Sequence, residues 1–222
     1  MSNLTTHHLM KTITAAARFL SAICSPLLMG TYGIALAIWL SYLCYSPDKA
    51  KAVVIAATFV ATCIIPVIVI FLLSKTGVVK DPTLNERSDR TVPYIITGLC
   101  YIGTAVYYRF VNAPVWLSMF AVGGAVSLVL LTVINRFWKI SGHATGMGGI
   151  VAMLFFLMCS GNSPVEMQWE FIAGVILAGL VCTSRLVLQR HTLLQVGAGF
   201  ANGFLCTFLP TWFFSGAQLP AF

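Results

Sequence analysis

Charge is what this chain has least of. Only 9% of its 222 residues are Asp, Glu, Lys or Arg, against roughly 25% in soluble domains, which excludes a soluble globular fold. Acidic residues are scarcest, six in all. They form no carboxylate-rich set for a metal, and no Asp-x-x-x-Asp pair exists to hold a magnesium diphosphate. The seven cysteines are scattered through apolar stretches without a Cys-x-x-Cys pair, so a thiol redox centre or zinc site is excluded and they read as small buried apolar residues. A clean secretory signal is missing as well, because Lys11 and Arg18 interrupt the first apolar stretch.

What is abundant is hydrocarbon. Hydrophobic residues make up 59% of the chain, and runs of about 20 recur, the length that carries a helix across ~30 Å of bilayer core. Lipid leaves open backbone groups unsatisfied, and nothing alternates like barrel strands. The expected fold is therefore all-α, a polytopic membrane bundle of about six to seven transmembrane helices. Residues 1–25 read as an amphipathic interfacial segment, with Lys11 and Arg18 among Ile13, Phe19 and Ile23. Residues 26–222 read as one transmembrane domain.

Its runs are 27–45, 52–74, 92–111, 115–134, a stretch ending near Ser160, 171–183 and 192–214. Trp116, Trp138, Trp169 and Trp212 fall near run ends, where an aromatic belt is expected. Glycines at 142, 146, 149, 197, 199 and 203 read as close helix packing. The net charge of +7, carried by so few groups, argues against a nucleic-acid surface. It suits loops near anionic headgroups or a site for an anionic substrate.

Counting crossings puts three polar clusters on one face: the loop 75–91, the stretch Lys139-Ile-Ser-Gly-His143, and Ser184–His191. The first holds Lys80 and Arg87 separated by six residues; the second is Ser141-Gly142-His143; the third is Ser184-Arg185, five residues, then His191. In order and spacing these resemble the three signature motifs of the type 2 phosphatidic acid phosphatase superfamily, over Lys80–Gln195, about half the chain. The resemblance implies that the phosphatase core is formed by the later spans. It implies that His191 attacks phosphorus, that His143 protonates the leaving group, and that no metal or other cofactor is used. Lys80, Arg87, Arg185, Ser141 and Gly142 would bind phosphate. That fits the chemistry, since a transferring phosphoryl group needs fixed positive donors and arginine offers two to its oxygens.

Three positions depart from the motifs: Ser88 and Ile140 replace prolines, and Gln195 stands where aspartate is usual, one helical turn after His191. An amide oxygen can orient the imidazole but brings no charge, so Gln195 is expected to be the histidine-orienting residue. Asp81, Glu86 or Asp89 would be the substitutes. Arg136, Lys139 and Arg190 read as interfacial anchors. The resemblance implies a lipid phosphate as substrate, membrane lipids as the other partner and no nucleic acid. It also implies a bacterial inner membrane with the site on its extracytoplasmic face. Loop charge points the other way, with eight Lys and Arg on the site face against Lys49, Lys51 and Arg109 opposite. A non-catalytic or transport protein of the same fold is the rival expectation, motivated by Gln195.

Overall fold

Proline and glycine punctuate the chain where its helices begin and end. The structure, a computed structural model, describes residues 2–79 and 88–216, the side chains of 2–7 and 88 excepted. Lys80 and Arg87 therefore lie outside the described residues, as do Asp81 and Glu86. Helix α1 (Ser2–Ile23) breaks at Cys24 and Ser25, and Pro26 opens α2 (Pro26–Leu40). Proline suits a first helical turn, where its missing N–H has no partner to lose. After a short 3₁₀ turn come α3 (Asp48–Phe59) and α4 (Ile65–Lys75), joined by a π-helical turn at Val60–Ile64 into one rod. Pro66 follows that turn directly. It cannot donate to the preceding turn, and the wider π spacing absorbs the lost bond.

A 3₁₀ turn at Ser88–Arg90 leads into α5 (Thr91–Phe110), followed by α6 (Val115–Phe137), α7 (Gly142–Ser160), α8 (Gln168–Val187) and α9 (Leu193–Phe214). The chain is all-helical among the described residues. Five helices are long and apolar enough to cross a membrane: Asp48–Lys75, α6, α7, α8 and α9. Helices α1 and α2, bent by 63°, add a sixth if they act as one broken span.

This trims the seven runs of the sequence for two physical reasons. Helix α2 has 15 residues, about 22 Å of helix, and cannot cross ~30 Å alone. Helix α5 is long enough but falls short in hydropathy through Tyr94, Tyr101, Tyr107 and Tyr108, although it exposes Ile95, Leu99, Ile102 and Val106. It pairs with α6 along the bundle, and Tyr108 is fully buried there.

Helix α7 is the axis of the bundle, packed by α2, α8 and α9, and about two-thirds of its apolar window is buried. Three glycines allow α9 to approach it. A Cβ on Gly148 would overlap the Phe200 carbonyl oxygen, one on Gly199 would stand 2.5 Å from that of Ser141, and one on Gly203 would overlap the Thr145 carbonyl. Beside these glycines on α9, Phe200, Phe204, Phe208 and Trp212 stack at four-residue spacing and meet Phe155 and Phe156 of α7. Trp116 is not a belt residue. It is buried against Phe156 and donates to the Tyr42 hydroxyl, whereas Trp169 is exposed.

Candidate active site

Five helix ends meet at one pole of the bundle: the start of α5, the end of α6, the start of α7, the end of α8 and the start of α9. The tie between α7 and α9 is direct, since Ser141 N–H donates to the Gln195 carbonyl at 3.1 Å. Ser141 is the N-cap of α7, fully buried, and its Oγ accepts from Ala144 N–H. That leaves the hydroxyl hydrogen to donate. Gly142 and His143 are the first residues of α7, so their N–H groups have no partner within the helix and stand at the positive end of its dipole.

The α8–α9 turn is short and internally bonded. Leu188 N–H and Arg190 N–H close onto the carbonyls of Ser184 and Arg185. Ser184 is buried and returns its hydroxyl to the Val181 carbonyl, so its role is helical rather than chemical. Thr192 caps α9 in a reciprocal box with Gln195. The Gln195 Oε1 accepts from Thr192 N–H and from His191 Nδ1, both at 3.2 Å. The first bond assigns the second: a backbone N–H demands the amide oxygen there, so His191 must carry its hydrogen on Nδ1. Its Nε2 keeps a free lone pair. Gln195, rather than Asp89, is thus the group hydrogen-bonded to His191, while Asp89 is buried in the 3₁₀ turn before α5.

His191 is buried, and its environment disfavours a second proton. Burial, followed by the Arg90 and Arg185 cations, pushes its pKa down to about 4, against an opposing pull from Gln195. At neutral pH the ring is neutral. His143 shares this neighbourhood, within electrostatic reach of Arg185, His191 and Arg90, and its Nε2 lies 3.0 Å from the Ser21 carbonyl. Arg185 donates through Nη1 to Ser21 Oγ. Its Nε is buried and meets no acceptor among the described residues.

His143, Arg185, His191, Gln195, Ser141 and Gly142 are therefore gathered at one place. Arg90, Tyr94 and Ser21 join them unannounced. Arg90 is buried, bonds Tyr94 and acts on both histidines. Its signal in the sequence was a second arginine three residues after Arg87, read only as loop charge. Lys139 acts on His191, and Arg190 on Arg185, so neither is merely a distant anchor.

This pole coincides with a match between residues 134–218 and the family model of the PAP2 superfamily. That stretch of the chain belongs to the PAP2 superfamily. The match spans the second and third motifs and both histidines, and leaves out α1, α5 and the Lys80–Arg87 motif. No curated protein and no solved structure matches the chain. What distinguishes this PAP2 site is its glutamine, held by two N–H donors where the family's motif has an aspartate.

Two spaces adjoin the site. An open pocket of about 710 Å³ is bordered by Arg18 and Ser21 of α1, His143, Arg185 and Arg190. On the other side a narrow apolar crevice of about 80 Å³ starts at Gly142 and Tyr94. It follows Thr145, Gly146, Gly149 and Ile150 down one face of α7, as their three- and four-residue spacing requires.

Proposed function

We propose that the protein is a metal-independent lipid phosphatase. It would hydrolyse a phosphomonoester or diphosphate of a lipid, of the phosphatidic acid, phosphatidylglycerophosphate, isoprenyl diphosphate or lipid A type, through a phosphohistidine. The reading rests chiefly on one observation: a neutral His191, its Nδ1–H held by Gln195, beside Arg185, whose buried Nε meets no acceptor. That is a nucleophile with its lone pair free, next to a donor suited to a phosphate oxygen.

The steps follow from these positions. The phosphate sits against Arg185, Arg90 and the α7 N-terminus, with Lys80 and Arg87 as further ligands by motif. His191 Nε2 attacks phosphorus, the N–P bond forms and the P–O bond to the lipid breaks. His143, having taken the proton of the entering phosphate monoanion, passes it to the departing alkoxide. Water then attacks the phosphohistidine, giving its proton back to His143, and the N–P bond breaks to release inorganic phosphate. Positive charge fixed in advance stabilises the oxygens as charge builds on them.

A lipid rather than a soluble ester is supported by the crevice along α7, which leads from Gly142 toward the apolar interior and suits the start of an acyl or prenyl chain. The test is phosphate release from a panel of lipid phosphates by detergent-solubilised protein in EDTA. Release by the parent chain and none by His191→Ala is the expected result. Turnover surviving in His191→Ala would remove the mechanism. Lipid binding by folded protein with no release from any substrate would favour the non-catalytic reading.

A further inference from the structure

Ser21 lies on α1, outside both the PAP2 match and the three motifs, yet it touches two residues of the site. Its carbonyl oxygen is 3.0 Å from His143 Nε2, and its hydroxyl accepts from Arg185 Nη1. A carbonyl can only accept, so neutral His143 carries its hydrogen on Nε2 and a lone pair on Nδ1, and Nδ1 is the one nitrogen left to take up a second proton and pass it to a leaving group. The pattern repeats that of His191, where a neutral amide oxygen holds one nitrogen and frees the other. Ser21 is itself buried, as is Ala17 one turn earlier, and α1 packs against α8. The Tyr32 hydroxyl ties the end of α1 to α2 through the Ile23 carbonyl.

Resting on the phosphatase reading, we infer that Ser21 is a positioning residue of the active site. Its carbonyl holds Nε2–H of His143, so that the second proton of the acid form is taken up and delivered at Nδ1, and its hydroxyl steadies Arg185 so that Nε–H is left for phosphate. Helix α1 is then part of the catalytic apparatus and not merely a surface anchor.

The test compares leaving groups in the full-length chain. Ala17→Asp sets an unpaired charge at this buried position of α1 and loosens Ser21. An alkyl phosphate needs protonation as it leaves, whereas p-nitrophenolate departs without it. Ala17→Asp should lower the pre-steady-state release of alcohol from an alkyl phosphate by roughly 100-fold or more and leave the burst of p-nitrophenolate within a few-fold, since hydrolysis of the phosphohistidine is common to both. Ser21→Ala keeps the carbonyl and should raise KM and the vanadate inhibition constant by roughly 10-fold, with little change in kcat. The chain has only four histidines, so nitrogen-15 histidine spectra can follow the tautomer. His143 should show Nε2–H in the parent and a mixture in Ala17→Asp.

Equal losses on both substrates would make α1 merely structural and overturn the inference. A gain in alkyl turnover would overturn it too, making Ser21 a latch over His143. A parent chain that released no phosphate, but whose His143 tautomer still responded to Ala17→Asp, would sink the phosphatase reading and leave the Ser21 contact standing.

Discussion

Gln195 carries the main chemical consequence of this site at the scale of single residues. A carboxylate there would pull the neighbouring imidazole toward its charged form, whereas the amide leaves burial and two arginines unopposed by any charge from this position. His191 accordingly sits at about 4 instead of the ordinary 6.5. On the phosphatase reading His191 is the nucleophile and must be neutral, so protonation at low pH abolishes attack, and a depressed pKa moves that loss to lower pH. The acid limb of kcat/KM should therefore fall near pH 4. Gln195→Asp should move it up toward 6.5, by adding the charge that favours imidazolium. Arg90→Gln should move it the same way, by removing the largest cationic influence on the ring. A limb near 6.5 in the parent, unmoved by either change, would show that His191 is not the titrating nucleophile. Gln195→Leu removes the acceptor from His191 and half of the α9 cap. It should cost roughly 1 kcal/mol of stability through the cap in addition to any loss in kcat, both measurable in detergent.

At the scale of elements, the site depends on how closely α7 and α9 approach, because the Ser141–Gln195 backbone bond joins the two histidine-bearing ends. Gly199→Ala would drive a methyl group into the Ser141 carbonyl. Overpacking of this kind costs about 1–3 kcal/mol, and here it would also part His143 from His191. Gly197, on the same helix, faces open space, so Gly197→Ala should keep activity and gain a few tenths to about 1 kcal/mol from helix propensity. Thermal denaturation and turnover of the two variants side by side check this; equal behaviour would mean that the interface yields freely.

The small residues of α7 and α9 were legible in the sequence as a packing surface, and the periodic runs as helices. Which glycine meets which carbonyl was not legible, since it depends on the register between helices 50 residues apart in the chain. The same limit hid Arg90 and Ser21. Each is ordinary in its own segment and becomes part of the site only when α1 and α5 dock against the ends of α7 and α8. Two of the seven runs miss the length and hydropathy of the other five for local reasons instead: α2 stops at Leu40, and the tyrosines of α5 lower its hydropathy.

For the whole molecule, the unsettled consequence is which way the site faces. The exposed apolar surfaces of α4, α6 and α8, with Phe71, Val129 and Ile176 among them, suit lipid on the flanks, and the charged pole then stands at one membrane surface. Loop charge alone would place that pole in the cytoplasm. Several of the cations counted on that face are accounted for by the proposed site, though: Arg185 by its unmet Nε–H, Arg90 by its pull on both histidines, and Lys80 and Arg87, outside the described residues, by the resemblance alone. Cations retained for phosphate binding carry little weight as topological signals, and without them the bias is small. The resemblance then decides, and we expect the pole outside. Gln189, exposed in the α8–α9 turn, and Glu166, exposed in the α7–α8 connection, mark opposite ends of the bundle. A membrane-impermeant maleimide should label Gln189→Cys in intact cells above the parent background, and Glu166→Cys only after permeabilisation. The reverse pattern would turn the molecule over. The substrate would then be a lipid phosphate of the cytoplasmic leaflet, and the loop charges would be topological signals after all.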